Sequence, residues 1–87
     1  MTWRVVFAKQ AQKDAARLAS AGLKTKAEAL LAVLREDPYQ TPPRFEKLIG
    51  DLAGSYSRRI NLQHRLVYQV LDDDRVVKVL RMWTHYE

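Results

Sequence analysis

The chain has 87 residues, 29 % of them charged and 47 % hydrophobic, with a net charge of +5 and no cysteine. That length makes a single domain, residues 1–87, which buries only about 60 % of the surface its unfolded chain exposes. Without cysteine there is no disulfide framework or thiolate chemistry, two histidines leave zinc short of its usual ligands, and no apolar run nears the ~20 residues that cross a bilayer.

The expectation is a cytoplasmic protein with no metal or other cofactor. The first segment, Thr2 to Phe7, is too short for a signal peptide and reads as a strand, with Trp3, Val5 and Phe7 on one face. Spacing then turns helical from Ala8 to Ser20, with Ala8, Ala11, Ala15, Leu18 and Ala19 along one stripe and Gly22 as the stop. A second helix opens on Thr25-Lys26-Ala27-Glu28, which has the form of a capping box, and buries Ala27, Leu30, Leu31 and Leu34. Pro38 ends it, because the residue before a proline is pushed out of helical geometry. So short a link predicts an antiparallel helical hairpin.

Tyr39 to Gly54 contains Pro42-Pro43, Gly50 and Gly54 and reads as an irregular connection. Three strands follow, Tyr56–Asn61, Arg65–Leu71 and Arg75–Thr84, with the Asp72-Asp73-Asp74 run as a turn. The fold class is therefore α+β: an N-terminal strand, a two-helix hairpin, and a three-stranded meander completing a twisted, mainly antiparallel sheet with one face left open.

Alternation places Leu66, Tyr68 and Val70 toward the core and Arg65 on the open face. Ile60 wants the core, so Arg59 opposes it and joins Arg65, while Glu46 enters from the connecting loop. A carboxylate, several guanidiniums and a C-terminal imidazole suffice to cut RNA without a metal. The ribose 2′-OH attacks its own phosphorus, so the enzyme has only to take one proton, give another and hold the phosphoryl charge. Glu46 is the candidate base, His85 the candidate acid, and Arg65 the clamp on the phosphoryl group. Arg58, Arg59 and Lys47 are the candidate phosphate and RNA contacts, and Tyr86 can stack or orient. His64 competes with His85 for the acid role but lies in a tight turn. A net positive charge suits a polyanionic partner. A basic RNA-binding module without catalysis uses the same residues.

The segment from Phe45 to Tyr68 resembles the YoeB/Txe-type toxins, a branch of the RelE/ParE superfamily. Carrying the likeness are Glu46-Lys47-Leu48, then Leu52-x-Gly54-x-Tyr56-Ser57-Arg58-Arg59-Ile60, then Gln63-His64-Arg65-Leu66-Val67-Tyr68, and the terminal His85-Tyr86. The resemblance implies a RelE-like fold and cleavage of mRNA in the A site of the 70S ribosome, leaving a 2′,3′-cyclic phosphate and a 5′-OH. It also implies Glu46 as base, Arg65 as clamp, His85 as acid, Arg59 as a phosphate contact and Tyr86 as an orienting residue. A YefM/Phd-like antitoxin with an acidic, disordered tail is the implied partner, with operator DNA bound only through that complex and no membrane involved. A ParE-like gyrase inhibitor shares the fold but has no use for the three catalytic groups. One departure stands out: Ile49 occupies a position where such toxins often carry lysine, and Lys47 is the neighbouring basic residue.

Overall fold

The computed structural model describes residues 2–83; His85 and Tyr86 lie outside the described residues. Strand β1 (Arg4–Phe7) leads into helices α1 (Lys9–Ser20) and α2 (Lys24–Glu36), followed by β2 (Glu46–Lys47), β3 (Ser55–Arg59), β4 (Arg65–Leu71) and β5 (Val76–Arg81). Single turns of 3₁₀ helix at Gly50–Leu52 and Asp72–Asp74 complete the list of elements. The five strands form one sheet in the order β1-β5-β4-β3-β2. Only the β1–β5 pair is parallel; the others are antiparallel.

The helical hairpin forms much as its sequence requires, with one difference at the turn. Gly22 has φ +76°, its N–H donates to Ala19 O and the Leu23 N–H donates to Leu18 O, the paired bonds of a Schellman stop. That stop hands the chain directly to α2, whose first helical residue is Lys24 and whose N-cap is Leu23. Thr25 is thus already inside the helix, and no side chain caps α2, so the expected capping box does not form. Ala11, Leu18, Ala27, Leu30, Leu31 and Leu34 pack on Leu66, Tyr68, Val77 and Val79 of the sheet, with Ile60 and Met82 at the margins. Ala19, assigned to the buried stripe by spacing, is exposed.

Asp14 takes the place on that stripe which an apolar residue would normally fill. It is 1 % exposed and accepts hydrogen bonds from the Met82 N–H at 2.9 Å, the Trp83 N–H at 3.2 Å and the Gln10 side chain at 2.9 Å. A carboxylate on α1 therefore receives the chain as it leaves β5. Trp83 is held a second time, its indole stacking on the His64 ring with centroids 3.9 Å apart.

Arg58 is the largest deviation from expectation. Rather than lining an RNA site it is 1 % exposed, on the helix side of the sheet beside Leu66, its partner in register. The physical reason is the two-residue period of a strand: Arg58 shares a face with Ile60, and Ile60 is core. Its Nε donates to the Tyr68 hydroxyl at 3.1 Å, one terminal nitrogen to Pro38 O at 2.9 Å, and the other to Pro43 O. Tyr68 Oη donates to the same Pro38 carbonyl at 2.9 Å, and burial raises the Tyr68 pKa. The guanidinium also lies 5.0 Å from the centre of the Phe45 ring, itself stacked on Tyr56. Pro38 to Phe45 is thereby fastened over the core. The connection is not wholly irregular, because Glu46 and Lys47 add an edge strand to β3, with Glu46 opposite Ser57 and Lys47 opposite Tyr56.

Two stability tests follow. Arg58→Ala strands three buried acceptors and leaves a cavity, and should cost about 3 kcal/mol in urea denaturation. Arg58→Lys should recover little of it, lacking the planar fork; a change within ~0.5 kcal/mol for either variant contradicts the assignment. Asp14→Ala leaves two backbone donors without their acceptor and should cost about 2 kcal/mol, with Asp14→Asn milder because an amide oxygen can still accept.

Candidate functional site

The sheet's open face is set by register. Glu46 on β2, Ser57 on β3, Val67 on β4 and Arg81 on β5 form one row across four strands. Arg59 and Arg65 are opposite one another in the β3–β4 ladder, two residues further along β3 from Ser57. From there the Arg65 side chain runs back over the sheet, and its guanidinium donates to the Glu46 carboxylate and lies 3.5 Å from Ser57 Oγ. Arg65 is largely covered, with 12 % of its side chain exposed, whereas Glu46 keeps 47 %. The cation is fixed by its surroundings; the carboxylate remains open to a ligand.

The hydrogen bond and charge of Arg65, with smaller help from Arg44 and Arg59, hold the Glu46 carboxyl below the ordinary glutamate pKa. Glu46 is ionised at neutral pH and, while paired, is a weak base. A cleft of about 350 Å³ opens beside it, lined by Pro43, Arg44, Glu46, Ser57 and Arg59. Its chemistry suits a phosphate: three arginines around a carboxylate, with planar donors able to bind two oxygens at once.

Of the residues singled out from the sequence, Glu46, Arg65 and Arg59 come together on the open face. Lys47 lies at the exposed end of β2, on the rim of a neighbouring cleft. Arg58 is turned inward, as described. Sequence reasoning passed over Ser57, which is 1 % exposed between Glu46 and Arg65, and Arg81, which ends the cross-sheet row. It also passed over Asp14, whose signal was an acidic residue at helical spacing between Ala11 and Leu18. Among the described residues, no three His, Asp or Glu side chains converge where a metal ion could be held, and no helix is long and apolar enough to cross a membrane.

Comparison with known proteins gives a consistent answer. The family model described as "YoeB-like toxin of bacterial type II toxin-antitoxin system" matches residues 7–86. A curated relative, Toxin YoeB of Streptomyces coelicolor, is 35 % identical over 85 residues, covering 95 % of this chain and 99 % of its own. Among solved structures, a YoeB/ParE toxin from Agrobacterium tumefaciens superposes with a TM-score of 0.85 at 28 % identity, covering 95 % of this chain and 99 % of that one. The toxin fold in a YoeB–YefM complex from Staphylococcus aureus gives a TM-score of 0.79 at 32 % identity, covering 99 % of this chain and 100 % of that one.

Removal of the clamp should be visible in the base. In Arg65→Ala, the Glu46 pKa should rise toward that of an ordinary glutamate, followed by carboxyl-carbon NMR titration; an unmoved Glu46 would show that the ion pair does not govern it. The sign of the linkage is fixed by the lowered pKa. Whatever stability the pair gives is present above the unfolded-state glutamate pKa and fades as acidification protonates Glu46.

Proposed function

The chain belongs to the family of YoeB-like toxins of bacterial type II toxin–antitoxin systems, and from that membership and its open-face chemistry we propose that it is an endoribonuclease cutting mRNA in the ribosomal A site. The observation that carries the reading is the Glu46–Arg65 pair, half-open to solvent on a face otherwise populated by arginines.

Glu46 takes the proton of the ribose 2′-OH as the 2′-oxygen attacks phosphorus. Charge gathers on the non-bridging oxygens and is held by Arg65, with Arg59 alongside. The bond from phosphorus to the 5′-oxygen breaks, His85 supplies that oxygen with a proton, and Tyr86 orients the leaving group. The products are a 2′,3′-cyclic phosphate and a 5′-OH. Every step is a proton transfer or a charge interaction, so no metal is needed.

The lowered pKa of Glu46 has a place in this scheme. A phosphate arriving at Arg65 competes with Glu46 for the guanidinium's donors. As the pair loosens, the carboxylate loses the interaction that weakened it and its proton affinity rises. The base strengthens when the substrate is seated. Until then the ion pair keeps both groups in place, and such positioning supplies much of the rate.

The partner in the cell is an antitoxin. Titles of several similar structures name toxin–antitoxin pairs, YoeB–YefM among them. A basic open face suits an acidic, disordered antitoxin tail that folds on binding and covers Glu46 and Arg65. Operator DNA is reached through that complex.

The test uses ribosomes programmed with a defined mRNA and a vacant A site, with 5′ ends mapped by primer extension beside a ribosome-free lane. A cut inside the A-site codon, seen only with ribosomes, is the expected result. Glu46→Gln and His85→Ala should each lower cleavage at least about 10²-fold with an unchanged melting temperature. Intact mRNA, or equal cutting of naked RNA, would sink the proposal.

A further inference from the structure

The site is not basic throughout. Where the Arg44 and Arg59 side is polar, the opposite side of Glu46 opens into a second cleft of about 230 Å³, walled by Leu48, Ile49 and Leu52 with Glu46, Lys47 and Arg65 on its rim. The Glu46 carboxylate is the partition between the two.

The apolar wall is not there to fill the core. Ile49 is 88 % exposed and Leu52 is 42 % exposed. Their backbone is nonetheless ordered. The Leu48 N–H donates to Ser55 O at 2.9 Å, continuing the β2–β3 pairing, and the following turn closes with the Ala53 N–H on Gly50 O at 3.0 Å. Gly50 has φ +72°, a conformation that larger residues rarely adopt, and it swings the chain so that Ile49 and Leu52 border one cleft. Two exposed aliphatic side chains on a fixed turn, directly beside a charged pair, have the character of a ligand surface.

Resting on the cleavage reading above, we infer that this second cleft is the subsite for the nucleobase of the nucleotide on the 5′ side of the cut. The attacking 2′-OH belongs to that nucleotide, so its ribose sits at Glu46. Its 3′-phosphate is drawn to Arg65 and Arg59, toward the basic cleft. Its base leaves the sugar on the other side and meets Leu48, Ile49 and Leu52. Aliphatic walls offer no hydrogen-bond code, so they distinguish bases by contact area. Purines, with the larger apolar face, are favoured over pyrimidines.

The experiment uses the full chain on ribosomes programmed with mRNAs that differ only in the nucleotide 5′ of the mapped cut: each of the four bases, and an abasic residue. Wild type should cleave the purine substrates about fivefold faster in kcat/KM than the pyrimidine ones, and the abasic substrate slowest, at the low end of what base stacking supplies. Ile49→Asn, and Ile49→Asn combined with Leu52→Asn, should bring all five substrates to within about twofold of one another through a rise in KM. Both positions are exposed, so folding is preserved, and a melting curve checks it. If the variants keep the wild-type base ratios, or wild type cleaves the abasic substrate as fast as the others, the subsite assignment is wrong while cleavage itself stands. If wild type cuts none of them, the cleavage reading fails and takes this inference with it.

Discussion

A guanidinium buried against neutral acceptors organises this molecule. Arg58 carries a full positive charge into the core, where a charge without partners is costly. It is tolerated because its donors meet two carbonyls and a phenol, and because two aromatic rings face it. The carbonyls belong to Pro38 and Pro43, so the arrangement ties the exit of α2 to the middle of the sheet. Once that connection is fixed, the next residues can only run along the edge of β3, and Glu46 arrives opposite Ser57. The catalytic candidate is thus placed by an arginine on the far side of the sheet. Adjacent residues divide the labour: Arg58 holds the loop, and Arg59, one position on and one face over, borders the cleft.

On the open face the balance of exposure matters as much as the charges. A mostly covered Arg65 loses little conformational freedom when it binds phosphate, because it is already immobilised against Ser57 and Glu46. The half-exposed carboxylate stays reachable. A resting ion pair of this kind keeps an isolated acid from drifting among rotamers, and its partner's attraction makes it responsive to an incoming anion. Were the exposures reversed, with a buried carboxylate and a solvated arginine, desolvation would raise the Glu46 pKa and the guanidinium would need ordering on every encounter.

Much of the fold was legible because the local signals agree with one another. The hairpin follows from Gly22, Pro38 and two apolar stripes, and the meander follows from alternation broken by turn residues. The failures have physical causes. Thr25 and Glu28 have the spacing of a capping box, but the Schellman turn at Gly22 starts α2 too early for them to serve. Strand β2 has two residues and no periodicity to detect; it exists because β3 has an edge and Arg58 delivers the chain to it. The inward turn of Arg58 was implied by Ile60, two residues away, yet a pair of arginines beside a basic site reads naturally as surface. Within the candidate site, Glu46, Arg59 and Arg65 were identifiable from residue type and face. The apolar lip at Ile49 was not, since its meaning lies in what it adjoins.

The parallel pairing of the first and last strands bears on how the chain is made. Strand β1 finds its neighbour only in β5, and β5 is also the inner partner of β4. During synthesis, β1 and the helical hairpin emerge early and wait, with the apolar faces of α1 and α2 lacking Val77, Val79 and Met82. Helices can flicker into place meanwhile, but the sheet cannot close until translation has passed Arg81. Closure is a long-range, high-contact-order event, and such events are slow and leave sticky surface uncovered. Nascent chains of this protein therefore spend most of their birth as substrates for chaperones rather than as folded molecules.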